Sequence, residues 1–291
     1  MTQQSPYRVA VTGSNGQMGK EFAKLADIHP RYQFTFLDRE IFPLDDQEKI
    51  ESWIHNHPVD YFIHCAAYTA VDKAESEKEK AFQANAAAPG LIAELLSKNR
   101  TKLIYISTDY VFDGTSAQPL KEDAVTNPVN VYGSSKLEGE KLVLRNNPDS
   151  IVIRTSWLYS SEGNNFVKTM MRLMDEREKV QVVQDQTGSP TYAADLASSI
   201  LQILESGLFL PGIYHYSNEG ATTWYEFALE IKRLTASACQ VLPIPASGYP
   251  TPAKRPAYSL LDKSKIKKTY DLKIPTWQSS LGICINLLKK R

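Results

Sequence analysis

The segment Arg8-Val9-Ala10-Val11-Thr12 is a short β-branched run that leads without a spacer into Gly13-Ser14-Asn15-Gly16-Gln17-Met18-Gly19, after which Phe22, Leu25 and Ala26 give a helical stripe. Strand, glycine turn and helix in this order leave few folds open. Gly13 permits the tight turn, Gly16 lets a backbone approach a pyrophosphate, and Gly19 lets helix and strand pack closely. The helix N-terminus, rich in unpaired N–H groups, then faces the phosphates. A G-x-x-G-x-x-G spacing alone is a weak signal, because a glycine-rich turn needs no ligand; the flanking strand and helix give it weight.

The pattern repeats along the chain. Phe34–Leu37 reads as a second strand ending at Asp38-Arg39, where an acid suits a ribose 2′-hydroxyl and an arginine suits a 2′-phosphate, so NADH and NADPH both stay open. Val59–Ala67 is a third apolar run, with Cys65 expected in its core and small residues at its end. Phe82–Leu96 reads as one helix, interrupted by Asn85, which can brace the next strand or serve only as a satisfied structural polar group. Lys102–Ser107 is a fourth strand with Thr108 at its carboxyl end, and Ile151–Thr155 a fifth. Strands alternating with helices over residues 8–155 imply an α/β chain with a doubly wound parallel sheet.

Beyond Ser156 the pattern loosens. Gly163-Asn164-Asn165-Phe166 opens a helix whose Met170, Met171 and Met174 read as core, Gln184–Thr191 is a polar turn into a helix Asp195–Leu204, and Ile213–Ser217 resembles a further strand of the main sheet. Residues 1–160 are therefore expected to form a nucleotide-binding domain with return segments near 181–217, and 161–180 with 218–291 a smaller C-terminal substrate-binding domain. Pro243–Pro256 holds five prolines and is expected to be a substrate-facing loop ending at Arg255.

Charge and cysteine content exclude other classes. Lys+Arg and Asp+Glu both number 33 in a chain of 291 residues, which lacks the electrostatic footprint of a nucleic-acid binder. Three distant cysteines, Cys65, Cys239 and Cys284, give neither a zinc signature nor a disulfide framework. No run of 18 apolar residues occurs, and Met1–Pro6 has no targeting character, so the expectation is a cytoplasmic protein with no membrane partner.

Chemistry enters at Asn130-Val131-Tyr132-Gly133-Ser134-Ser135-Lys136-Leu137-Glu138. Tyr132 and Lys136 lie one turn apart on one helix face. Roughly one such pair is expected by chance among 15 tyrosines, and Tyr132 is the only one with a lysine four residues on. An ammonium about 5 Å from the phenol, at an effective dielectric of roughly 20, favours the phenolate by about 3 kcal/mol, or about 2 pKa units. The phenol then suits general acid–base work.

Gly13-x-x-Gly16-x-x-Gly19, Ser107-Thr108-Asp109-Tyr110-Val111-Phe112-Asp113-Gly114 and Tyr132-x-x-x-Lys136 together resemble the extended short-chain dehydrogenase/reductase family. More narrowly, Ala66–Glu75, Arg154–Tyr159, Gly163–Phe166, Asp185-Gln186-x-Gly188-x-Pro190-Thr191 and Tyr249–Pro256 are similar to the dTDP-4-dehydrorhamnose reductases, a likeness running over residues 13–256. The resemblance implies a Rossmann-like fold and hydride transfer from NADPH or NADH to the C4 ketone of a dTDP-linked 6-deoxyhexose. By motif position Tyr132 would donate the proton, Lys136 would hold the nicotinamide ribose and tune the phenol, and Thr108 would bond the same substrate oxygen. Gly13, Gly16, Gln17, Met18 and Gly19 would face the pyrophosphate, Asp38 and Arg39 the adenosine ribose, and Leu44 the adenine. Ala67, Tyr68 and Thr69 would line the cofactor, and Asp109, Trp157, Asn165 and Arg255 the sugar.

Some enzymes of this family are described as Mg-dependent dimers with acidic ligands from both chains. Glu21 holds one such position, but Ala194 stands where a second carboxylate belongs and the end Lys289-Lys290-Arg291 is basic. The expectation is no metal, and a monomer or homodimer. A rival resemblance is the regulatory β subunit of methionine adenosyltransferase, which shares the Asp-Tyr-Val-Phe-Asp-Gly run; Trp157 and Asn164-Asn165-Phe166 favour the enzyme. Another reductase of nucleotide-linked 4-keto-6-deoxy sugars is the runner-up, since pocket contacts worth about 1–3 kcal/mol each decide the substrate.

Overall fold

The computed structural model describes residues 5–290; Met1–Gln4 and Arg291, which belong to the terminal stretches discussed above, lie outside the described residues. The strands β1 (Tyr7–Thr12), β2 (Tyr32–Leu37), β3 (Tyr61–His64), β4 (Lys102–Thr108) and β5 (Ile151–Thr155) all pair in parallel. Beyond them come β6 (Leu158–Tyr159), β7 (Lys179–Val183), β8 (Thr187–Gly188), β9 (Thr191–Tyr192), β10 (Gly212–Tyr216), β11 (Thr222–Thr223) and β12 (Gln240–Ile244). Only β10 rejoins the large sheet, whose order is β10-β5-β4-β3-β1-β2.

The sheet buries both faces, and the residues show why. In β1 the side chains of Val9 and Val11 join one apolar cluster with Ile63, Ile104 and Ile153, while Ala10 joins another with Phe62, Leu103 and Val152. Successive side chains point to opposite faces, so continuous apolar runs suit strands covered on both sides. The first face is covered by α1 (Gln17–Ala26) and α8 (Ala193–Glu205), through Phe22, Leu196 and Ile200. The second is covered by α2 (Gln47–Asn56), α5 (Ala88–Lys98) and α6 (Val131–Asn146), through Ile50, Trp53, Ile92 and Val143. Each such fully buried side chain contributes about 1.5–3 kcal/mol.

The expected return near 181–217 starts later. β7 pairs with β12 outside the large sheet, so residues 181–183 belong with a third cluster that also holds α7 (Phe166–Glu176), α9 (Trp224–Thr235) and α11 (Trp277–Lys289); α10 (Ser264–Tyr270) instead packs on the first face. The alternation Val180/Val182 buried, Lys179/Gln181 exposed is that of a half-covered strand, unlike the continuous runs of the main sheet.

The helix expected over 82–96 runs on from α4 (Lys78–Phe82) into α5 but is interrupted by one wide turn at Gln83–Ala87; the short α3 (Val71–Ala74) precedes it. Pro89 explains part of this: lacking an N–H, it cannot bond the carbonyl of Asn85, four residues back, which instead accepts the Tyr105 hydroxyl at 2.9 Å. Cys65 also departs from expectation. The strand ends at His64, and Cys65 sits just past it, half-buried, on the wall of a cavity.

The order reverses between β1 and β3, so the crevice beyond the carboxyl ends of the strands opens at the glycine turn, with Thr108 at the end of neighbouring β4. No helix among the described residues is long and apolar enough to cross a membrane.

Candidate active site

Gly13 takes φ +71°, and a Cβ there would stand 2.9 Å from the Ala66 nitrogen. A Cβ on Gly19 would stand 2.4 Å from Cα of Ser14, so a side chain would push α1 off the turn. Gly16 caps α1 with no side-chain bond to the helix N-terminus and no acidic residue in its first turn, which leaves N–H groups directed outward. The Thr12 hydroxyl accepts from the Cys65 and Ala66 nitrogens, each at 3.1 Å, and fixes the opposite wall.

A cavity of about 1030 Å³ opens here. Of the residues named above for the cofactor, Gly13, Gly16, Gln17, Met18, Asp38, Arg39, Leu44, Ala67, Tyr68 and Thr69 line it, and Gly19, Tyr132 and Lys136 do not. Sequence reasoning missed Phe42, Glu77, Lys80, Gln83 and Leu158, which also line it, as does Asn164, read above as part of the sugar pocket. Phe42 carried no motif, while the place of Leu158 within Arg154–Tyr159 and the proximity of Gln83 to Asn85 were usable signals. Asp38 Oδ1 accepts from the Glu40 and Ile41 nitrogens at 3.0 Å each, so this acid also shapes its own loop. Arg39 is 87% exposed, with a loose partner in Asp45 at 3.5 Å.

The Asn130 side chain caps α6, accepting from the Gly133 nitrogen at 2.7 Å. A Cβ on Gly133 would lie 2.1 Å from the Tyr110 carbonyl oxygen, so only glycine lets the helix start against the end of β4. The Tyr132 ring meets Tyr110 edge-on at 5.8 Å. Lys136 is buried; its Nζ donates to the Ile106 carbonyl at 2.7 Å and lies 4.1 Å above the Tyr105 ring. Asn85 links the two sides of the crevice: its Oδ1 accepts from Tyr68 N at 2.9 Å, and its Nδ2 donates to Tyr68 O at 3.0 Å and Ser135 Oγ at 2.9 Å.

These contacts correct the electrostatic expectation. Burial pushes the Tyr132 phenol up to about 12, with the Thr108 hydroxyl pulling the other way, instead of Lys136 drawing it down. Burial also lowers Lys136 to about 7, against the attraction of Glu140. The ammonium is directed at β4, and desolvation outweighs the attraction that the four-residue spacing implies.

Thr108 Oγ1 donates to Asp109 Oδ1 at 3.1 Å and accepts from the Tyr110 nitrogen at 3.2 Å, while Asp109 Oδ2 is buried without a hydrogen-bond partner. Burial pushes the Asp109 carboxyl up to about 6. A raised carboxyl stabilises the fold below its unfolded value near 4, and that contribution is lost as pH rises through 6. Asp109→Asn is therefore expected to gain on the wild type by up to about 3 kcal/mol between pH 4 and 7, which parallel urea titrations would measure. A constant difference across that range would contradict it.

Trp157 adopts φ +47°, a left-handed conformation costing on the order of 1–3 kcal/mol for a non-glycine residue. Its ring stacks on Trp224 at 3.7 Å, and a Cβ on Gly188 would stand 2.9 Å from it. Asn165, a sugar contact by motif, caps α7 through Lys168 N and donates to Gln17 Oε1 at 3.0 Å, so its polar atoms are engaged within the protein. Arg255 likewise is engaged: it grips Asp72 with two nitrogens, at 3.0 and 2.7 Å.

The donor set does not fit a divalent ion. Glu21 takes the Ser160 hydroxyl at 2.6 Å on one oxygen and Lys24 at 3.0 Å on the other, and Lys24 also reaches Glu162 at 3.1 Å, so an ammonium already stands between the carboxylates. Among the described residues no three metal-ligating side chains converge.

Residues 7–290 match the family described as the RmlD substrate binding domain. A dTDP-4-dehydrorhamnose reductase of Salmonella typhimurium is 41% identical over 286 residues, covering 94% of this chain and 95% of its own. That of Aggregatibacter actinomycetemcomitans is 39% identical over 284 residues, covering 94% and 97%. The crystal structure of dTDP-4-dehydrorhamnose reductase from Bacillus anthracis in complex with NADP matches with a TM-score of 0.93 at 37% identity, covering 97% of this chain and 99% of that one. The chain belongs to the RmlD substrate binding domain family, that of the dTDP-4-dehydrorhamnose reductases.

Proposed function

We propose that this protein is an NAD(P)H-dependent reductase that converts the C4 ketone of dTDP-4-dehydro-L-rhamnose to the hydroxyl of dTDP-L-rhamnose, with Tyr132 as proton donor. The observation that carries the reading is the placement of Thr108, Tyr132 and Lys136 at the carboxyl end of β4, beside a cavity lined by the glycine turn. The reduced nicotinamide supplies the hydride. As C4 accepts it, negative charge gathers on the carbonyl oxygen, and the Tyr132 hydroxyl gives that oxygen its proton. An alkoxide is a stronger base than a phenolate, so donation runs downhill even from a phenol near 12. The Thr108 hydroxyl stabilises the same oxygen, and Lys136, tied through Nζ to the Ile106 carbonyl and protonated below about 7, would hold the nicotinamide ribose by motif position. Substrate and cofactor would meet between a nucleotide domain of about residues 1–160 and a smaller unit built on β7, β12, α7, α9 and α11, which supports the two-domain reading.

The test is loss of NADPH on addition of dTDP-4-dehydro-L-rhamnose, run beside other nucleotide-linked 4-keto-6-deoxy sugars. Faster turnover of one of those would reassign the substrate, and no turnover of any would favour a non-catalytic subunit. Arg39, exposed at the adenosine end, suits a 2′-phosphate. Arg39→Ala is expected to raise the KM for NADPH about tenfold, the loss of one charged hydrogen bond, and to leave that for NADH nearly unchanged. Equal effects on both coenzymes would remove Arg39 from the phosphate site.

A further inference from the structure

The segment 249–262 spans from α3 and α6 to Thr187 and Leu120 as a strap. Its far end is fixed by backbone: Thr187 N donates to Ala257 O and Ser259 N to Thr187 O, both at 2.8 Å, and Leu120 N bonds Leu260 O at 2.8 Å. A Cβ on Gly188 would stand 2.9 Å from the Trp157 ring and 3.1 Å from Ser259 Oγ, so this end of the strap borders the residues that reach toward the sugar. Its near end is different. Pro250, Pro252 and Pro256 have no N–H to offer a neighbouring strand, and side chains hold the segment instead.

Three elements close a triangle there. Asp72 of α3 takes two nitrogens of Arg255 and the Ala253 nitrogen at 3.2 Å, while Arg255 also donates to Thr251 Oγ1 at 2.6 Å. Asn130, the cap of α6, donates to the Lys254 carbonyl at 2.8 Å. Glu75, at the end of α3, accepts from the Val131 nitrogen at 2.9 Å. So α3 holds both the strap and the residue preceding Tyr132, and it continues directly from Ala67–Thr69 on the cavity wall.

We infer that Asp72 and Arg255 are a positioning pair: Arg255 acts on the sugar subsite by clamping the strap to α3, and does not itself contact the sugar nucleotide. The inference rests on the reductase reading for the identity of the ligand, but the clamp is a property of this chain's own residues. Direct recognition and clamping make opposite forecasts. If Arg255 touched the ligand, removing it would cost far more than removing Asp72, which leaves the cation in place; if the pair works as a unit, removing either partner removes the whole effect.

The experiment uses the full chain loaded with NADP⁺ and measures the Kd for dTDP-L-rhamnose by calorimetry, with hydrogen exchange read in parallel. Arg255→Met and Asp72→Ala are each expected to weaken binding about tenfold, the double variant no further, and Arg255→Lys to recover part of the loss. The Ala253 and Val131 amides are expected to exchange faster in both single variants. A loss in Arg255→Met well beyond that in Asp72→Ala, or affinity unchanged in Asp72→Ala, would overturn the inference. If the wild type binds no dTDP-sugar, the reductase reading fails, and exchange at Ala253 still decides the clamp: unchanged rates in Asp72→Ala would refute it.

Discussion

Tyr132→Phe is expected to lose about 10²–10⁴-fold in turnover, the range associated with a positioned general acid, while its affinity for NADPH stays within about twofold. The substitution deletes one oxygen and keeps the ring that packs edge-on against Tyr110. Tyr132 does not line the cavity at the glycine turn, so the surface offered to the pyrophosphate and adenosine is left intact. The phenol is neutral across the working range, its pKa standing near 12, so no charge is removed and the fold is not destabilised by an uncompensated partner. Steady-state turnover and cofactor titration by protein fluorescence measure the two quantities separately. Retained turnover would transfer the proton to another group, and Asp109, near 6, is the one placed to take it over.

The features legible in the sequence are those fixed by local chemistry. The glycine turn, the strand ends and the Tyr132-x-x-x-Lys136 helix follow from backbone sterics and periodicity, which act within a few residues, and ten residues of the cavity wall between Gly13 and Thr69 were named on motif position, though Asn15, Phe42 and Asp45 were not. What escaped depends on partners distant in the chain. The wide turn at Gln83–Ala87 exists because Asn85 must meet Tyr68, Tyr105 and Ser135 at once, and a Cβ on Gly139 would lie 2.0 Å from the Asn85 carbonyl oxygen. No periodicity announces that. The Tyr132 phenol went astray for a related reason: spacing gives the distance to Lys136 but not the desolvation of either group, and here the latter decides. Arg255 was visible as a cation at the end of a proline-rich loop, while its partner Asp72 lies 183 residues away.

The same separation hides the group whose removal is expected to cost the most stability. Glu140, one helical turn beyond Lys136, is buried against Arg154 of β5, which reaches it from Nε at 3.0 Å and Nη2 at 2.7 Å, and Ser107 donates to the same carboxylate. Arg154 is itself buried, away from bulk solvent. Its Nη1 leans on the Glu122 carbonyl at 3.3 Å and on His215 Nε2 at 3.4 Å, and that imidazole stays neutral, lowered to about 3 by burial and by Arg154 itself. Because His215 Nδ1 faces the Leu120 carbonyl, which can only accept, Nδ1 carries the proton and Nε2 offers its lone pair to Arg154. Glu140→Ala leaves a guanidinium buried without its counter-charge, an expected loss of about 3–5 kcal/mol, whereas Glu140→Leu combined with Arg154→Met should recover most of it, since desolvation of the pair offsets much of its attraction. Denaturant unfolding at constant slope measures both, and a loss under about 1 kcal/mol in Glu140→Ala would show that Arg154 finds another anion or reaches solvent. The milder Glu140→Gln separates stability from chemistry. It keeps the side chain's size and one acceptor oxygen but removes the charge that opposes the lowering of Lys136 by burial, so the ammonium would lose its proton at a lower pH and the alkaline limb of turnover should shift toward acid.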